Sequence, residues 1–169
     1  MEYYCIMVMT GEEKKFKEAA IKTTKDSFPD IKLFFFERKL RTNQGKIFDA
    51  PLFPGYVFLS CEKLTDEILI ALRKIDGFCR ILKSNVDPTM FQGSSLAELQ
   101  SFIQKGESWG FSKVEFAEGK PIKVVSGPMM GLEGQIYKIN KKKKRITITS
   151  SIFPDKKIDL MYEDVRVIN

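Results

Sequence analysis

Proline and glycine stand together at positions 54 and 55, with Phe53 before them and the apolar run Tyr56-Val57-Phe58-Leu59 directly after. Proline fixes one backbone angle and glycine admits a positive φ, so the pair dictates a tight turn. A helix cannot run through it, and the apolar run that follows reads as a buried strand. The turn also aims Phe53 and Tyr56 to either side of the bend. A second junction of this kind stands at Val125-Ser126-Gly127-Pro128-Met129-Met130-Gly131-Leu132-Glu133-Gly134-Gln135-Ile136-Tyr137. Two such anchors, well separated in a chain of 169 residues, suit two small domains.

Periodicity fills in the first domain. Residues 3–9, Tyr-Tyr-Cys-Ile-Met-Val-Met, read as a buried strand. Thr10 and Glu13 match a capping box, followed by a helix with Phe16, Ala19, Ala20 and Thr23 on its inner face. Ser27-Phe28-Pro29-Asp30 stops it. Ile31 to Leu40 turns to strand, Thr42–Lys46 reads as a hairpin tip, and Tyr56–Cys61 as the next strand. Thr65 suits the N-cap of a second helix carrying Ile68, Leu69, Leu72 and Ile75 inward. Gly77 ends it, Phe78–Leu82 is a strand, and Ser95 with Glu98 offers another capping box. The order is βαββαβ plus an extra helix, which is a ferredoxin-like sandwich.

Beyond a linker at 106–118, marked by Gly106 and Gly110 and crossed by Trp109 and Phe111, every run reads as strand. These are Ile122–Val125, Gln135–Ile139, Arg145–Ser150, Lys157–Leu160 and Val165–Ile168. Five short strands suit a small SH3-like barrel. The fold class is therefore α+β: a domain at 1–105, a linker at 106–118 and a β-barrel at 119–169.

Composition narrows the chemistry. Histidine is absent, which excludes histidine-dependent hydrolases, nucleases and metalloenzymes. Cys5, Cys61 and Cys79 are odd in number and lack a CxxC spacing, so buried reduced thiols are expected and neither a disulfide framework nor a zinc knuckle. No nucleophile–base constellation, phosphate loop or metal-ligand spacing is present. An enzyme is not expected, nor a cofactor. No stretch is long and apolar enough for a membrane span, and the first residues lack a basic secretory n-region, which points to the cytoplasm. The net charge of +6 is lopsided: residues 117–169 hold 11 Lys and Arg against 6 Asp and Glu, whereas residues 1–116 hold 17 against 16. The last third is the expected anion-binding part.

In order and spacing the two turn-to-strand segments resemble the NusG family of transcription elongation factors. Phe53-Pro54-Gly55-Tyr56 matches the turn of its N-terminal (NGN) domain, and Val125–Tyr137 matches its KOW motif. The resemblance implies that Tyr3, Tyr4, Phe53, Pro54, Gly55 and Tyr56 form an apolar patch for the clamp helices of RNA polymerase. The family's first strand commonly begins Trp-Tyr, and here it begins Tyr3-Tyr4. On physical grounds alone, a tight turn seating two core aromatics is the favoured reading, and it is the resemblance that turns the balance toward a binding patch. The resemblance further implies that Ile152-Phe153 is a docking tip for a protein partner, such as a small-subunit ribosomal protein or Rho. Pro154-Asp155 replaces the usual Gly-Arg there, and a core-capping phenylalanine is the alternative.

Lys141-Lys142-Lys143-Lys144-Arg145 lies at a hairpin between barrel strands. A solvated turn is one reading; contact with nascent RNA, widened by Lys123 and Lys138, is the other. Arg38 and Arg41 lead into the first domain's hairpin tip, a region that faces non-template DNA in the family. The wording of 126–139 and the basic hairpin resemble specialised LoaP-type antiterminator paralogues. Some specialised members refold the KOW domain as helices, but Ile146-Thr147-Ile148-Thr149 favours strand here. The implied function is a monomeric elongation or antitermination factor. It would hold RNA polymerase by one domain and recruit RNA or a protein by the other. A ribosome-associated KOW protein that binds RNA is the rival.

Overall fold

A computed structural model describes residues 1–82 and 88–165. Two compact units account for the chain: Met1–Phe36 with Phe53–Ala97, and Glu37–Leu52 with Glu98–Asn169.

Strand alternation organises the first unit. In chain order it holds β1 (Glu2–Val8), α1 (Glu13–Thr24) and β2 (Lys32–Phe34). In the second unit β3 (Glu37–Arg41) and β4 (Ile47–Pro51) form a hairpin. The first unit resumes with β5 (Tyr56–Cys61), α2 (Asp66–Arg73) and β6 (Phe78–Ile81). Its antiparallel sheet has the order β2-β5-β1-β6. That is the expected ferredoxin-like arrangement, with the hairpin intervening between its second and third strands. Tyr4, Ile6 and Val8 alternate inward, meet Val57, Leu59 and Cys61, and pack with Phe16, Ala20, Ile68, Leu69 and Leu72. Each such apolar side chain contributes about 1.5–3 kcal/mol on burial. The opposite face of β5 is covered too: Phe58 packs against Phe36, Phe53 and Phe91, with ring centroids 5.6 to 5.9 Å apart.

Local signals were obeyed unevenly. Thr65 caps α2 as expected, its side chain accepting from Ile68 N at 3.3 Å. Thr10 does not cap α1, which starts at Glu13 with Glu12 in the cap position and no side-chain cap bond. The buried stripe of α1 is Glu13, Phe16, Ala20 and Thr24, leaving Ala19 and Thr23 exposed. The helix is thus rotated to carry Glu13 inward.

The second unit is mostly β-structure. It contains the β3–β4 hairpin and the end of α3 (Gly93–Lys105), then β7 (Ser108–Trp109), β8 (Ser112–Glu115) and β9 (Lys123–Ser126). After a 3-10 turn follow β10 (Ile136–Asn140), β11 (Arg145–Thr149) and β12 (Lys157–Asp164). A three-stranded sheet runs β4-β3-β7 and a five-stranded sheet runs β10-β11-β12-β8-β9. Five strands were expected, but the set differs. The segment read as a linker supplies β8, which runs parallel to β12, and β7, which pairs with β3. Its alternation drives this: Ser112 and Val114 are fully buried, and Trp109 is 1% exposed against Phe102. The expected strand at 165–168 lies outside the described residues except for Val165, whose N–H donates to Val114 O at 2.8 Å. The Ile146–Thr149 run is strand, as its β-branched residues require. Gly127 allows close approach here: a Cβ would meet Ser112 Cα at 2.6 Å.

Burial pushes the Cys61 thiol up to about 12 from an ordinary 9.0. Burial, with the bond to Glu2, also raises the Tyr4 hydroxyl above its ordinary 10.0. Both groups stay protonated when folded and would ionise when unfolded. Their stabilisation is therefore complete below pH 9 and is lost as pH rises toward the folded values. Thermal melting is expected to fall over this alkaline range, and less steeply in Tyr4→Phe. An unchanged slope in that variant would contradict the assignment.

Candidate functional site

The Phe53–Tyr56 turn is closed by Tyr56 N donating to Phe53 O at 3.1 Å, with Gly55 at φ +84°. Proline followed by a positive-φ glycine defines a type II turn. It is clamped from α1. The Glu13 carboxylate, 2% exposed, accepts from Gly55 N at 2.7 Å and from Gly11 N at 3.0 Å. Gly55 O in turn accepts from Val8 N at 2.8 Å. A carboxylate buried without partners would be costly. Here two amides and the N-terminal end of α1 stabilise it. A side chain at Gly55 would meet Thr10 Oγ1 at 3.2 Å.

The six residues expected to form one apolar patch divide by strand geometry. Phe53 is buried edge-on against Phe58, and Tyr4 lies in the helix-side core with its hydroxyl donating to Glu2 Oε2 at 2.8 Å. Successive strand residues face opposite ways, so Tyr3 and Tyr4 cannot share one surface. Pro54 is exposed, and Tyr3 and Tyr56 are half-buried. Opposite Ser60 and Met7 respectively, these two tyrosines lie on the face away from the helices.

In the second unit the Ile152-Phe153 pair does not project as an apolar tip. Ile152 is 7% exposed and donates its N–H to Glu98 Oε2 at 3.0 Å. The same oxygen accepts from Ser150 Oγ at 2.6 Å, Ser151 N at 2.8 Å and Ser151 Oγ at 3.1 Å. Glu98 is therefore a clasp on this turn and not the capping-box partner of Ser95, whose hydroxyl donates to Gln92 O. Phe153 is half-buried, with Lys156 Nζ 5.2 Å from its ring centroid.

The cations expected to bind nucleic acid also divide. Arg38 is structural: Nε donates to Asp159 O at 3.0 Å, Nη1 bonds Pro51 O, and burial lowers its pKa. Lys123 and Lys138 sit on β9 and β10, the two edge strands of the five-stranded sheet. Lys141 stacks over Phe116, 4.7 Å from the ring centroid. Arg41, Lys142, Lys143, Lys144 and Arg145 line one cleft of about 450 Å³, together with Thr42, Asn43 and Met161. Two of these cations have acid partners: Arg41 lies 3.8 Å from Glu163, and Lys144 pairs with Asp164.

An α/β sandwich with a clamped Pro-Gly turn, followed along the chain by a β-unit bearing a basic turn, defines a protein of two parts. The profile described as "Transcription termination factor nusG" matches residues 1–100. Curated relatives that this chain matches over most of their lengths include transcription termination/antitermination proteins NusG. That of Thermus thermophilus is 24% identical and that of Chlamydia pneumoniae 24%, with 90% of this chain covered in each and 90% and 86% of the relative. That of Helicobacter pylori is 22% identical with 99% of both chains covered. The solved structure "Domain interaction in Thermotoga maritima NusG" superposes with a TM-score of 0.56 at 18% identity, covering 95% of this chain and 93% of that one. The chain belongs to the NusG family of transcription termination/antitermination factors.

Glu13 and Glu98 escaped the sequence reading because each also fits a local capping pattern. Glu13→Ala leaves the buried Gly55 amide without an acceptor, while the exposed Gly11 amide turns to water, and is expected to lower stability by about 1–3 kcal/mol, the cost of one unsatisfied buried donor. Glu13→Gln should lose less, since it keeps one acceptor oxygen. Denaturant midpoints measure both. Equal midpoints for wild type and Glu13→Ala would remove the clamp from the account.

Proposed function

We propose that the protein is a transcription elongation and antitermination factor that holds RNA polymerase by its N-terminal part and recruits RNA or a protein through its KOW part. The observation that carries this is the turn of the family-matched region. Glu13 fixes its backbone while Pro54 stays exposed and Tyr56 half-exposed. A rigid turn presenting a proline and an amphipathic ring suits recognition of apolar helices such as the polymerase clamp helices, because little freedom is lost on binding. Tyr3, Pro54 and Tyr56 are the contact residues; Tyr4, Phe53 and Gly55 hold their geometry.

On the second unit, Phe153 is the accessible part of the docking tip, and a small-subunit ribosomal protein or Rho is the partner class the family resemblance implies. Joining two modest sites in one chain raises the effective concentration of the second ligand.

Full-length protein binding to RNA polymerase, wild type against Tyr56→Ala, tests the reading. An interface ring of this kind contributes about 2 kcal/mol. The expected result is loss of binding with an unchanged melting temperature. Wild-type binding to ribosomes but not polymerase would overturn it in favour of a ribosome-associated role.

A further inference from the structure

Two cationic segments that the chain keeps about a hundred residues apart meet in one cleft. One wall is the β3–β4 tip, with Arg41, Thr42 and Asn43; the other is the β10–β11 turn, with Lys142, Lys143 and Arg145. The basic turn is built and not merely solvated. Asn140 Oδ1 accepts from Lys143 N at 3.0 Å, and Lys144 O accepts from Tyr162 N at 3.0 Å. Lys144 holds a left-handed backbone, φ +55°, which is unfavourable for a lysine and is maintained by its neighbours. Across the cleft, Arg41 is fixed by its N–H to Met161 Sδ at 3.2 Å and by its guanidinium over Phe111, 4.9 Å from the ring centroid.

The geometry points to a single phosphodiester-binding cleft in which one nucleic-acid strand is gripped by both walls at once, rather than separate RNA and DNA surfaces. Its volume lies within the range of about 300–1,000 Å³ typical of ligand sites. Five cations line it, two of them with acid partners, so the positive excess is retained. Asn43, exposed on the hairpin-tip wall, adds a hydrogen-bonding side chain to the lining. Among the described residues Met161 is the one apolar lining residue, and none that lines the cleft offers an aromatic ring on which a base could stack. Recognition therefore falls on the backbone, independent of base sequence and sensitive to salt. This rests on the proposed transcriptional role only for the source of the strand.

The test is fluorescence anisotropy of the full chain with end-labelled oligouridine RNA and oligothymidine DNA, each of about twelve nucleotides. One strand should bind per protein, with log K against log salt falling at a slope of about −2 for about three neutralised phosphates. Lys142→Ala/Lys143→Ala should flatten that slope by about 1.4. Asn43→Asp, which places a carboxylate on the opposite wall, should weaken the same binding event about tenfold. Binding of RNA, DNA or both supports the cleft and names the strand. Unchanged affinity in Asn43→Asp would overturn the two-walled site even if the basic turn bound alone. A tenfold preference among homopolymers would overturn backbone recognition, and no binding by wild type would remove the site. These variants should hold RNA polymerase as wild type does, so failure of the cleft and failure of polymerase binding are separately visible.

Discussion

A single buried carboxylate fixes the most informative turn in this protein. Glu13 sits at the first position of α1 and accepts from the backbone of Gly55, forty-two residues away, and of Gly11. Three requirements meet there. The helix start favours a negative charge, the type II turn leaves an inward amide needing an acceptor, and the β1 end needs Gly55 O for Val8 N. Removing the carboxylate leaves the inward Gly55 amide without its acceptor. The aromatic core beneath, Phe53 on Phe58, then sets where the turn's outer residues stand.

The second unit repeats the device. Glu98 gathers Ser150, Ser151 and Ile152 onto one carboxylate oxygen, drawing an apolar residue inward that would otherwise lie at the tip of a turn. In both units an acid on a helix holds a loop, Glu13 through backbone amides and Glu98 through backbone amides together with the Ser150 and Ser151 hydroxyls. Cations are distributed on the same logic. Arg38 is committed to carbonyls and serves the fold, whereas Arg41 and the Lys142–Arg145 turn keep their charge toward a shared cleft.

How much was legible follows from the range of each interaction. Pro54-Gly55, Thr65 and the Thr42–Lys46 tip specify their conformations within a few residues, and the sequence was sufficient for each. Apolar runs identified β1 and β5 as strands and β-branched residues identified β11, while their inner faces emerge from the pairing. Glu13 and Glu98 were misread because a capping box uses the same residue types, whereas Glu13 also reaches Gly55, 42 residues away, and Glu98 reaches Ser150, 52 residues away. The 106–118 segment failed for a related reason. Its glycines mark turns, but the inward Ser112 and Val114 acquire meaning only once β12 and β9 lie beside them. The patch of six aromatic and turn residues came from resemblance. Period-two geometry separates Tyr3 from Tyr4, leaving Tyr3, Pro54 and Tyr56 accessible.

Rigidity of the Phe53–Tyr56 turn, imposed by the buried carboxylate, is the claim on which the reading of this surface depends. Residue-resolved amide hydrogen exchange at Gly55 tests it directly. The account predicts that Gly55 exchanges as slowly as the β1 and β5 core amides, and that Glu13→Ala, which removes the acceptor, selectively releases it. Exchange of Gly55 at the rate of an open surface turn in the wild-type protein would contradict the account.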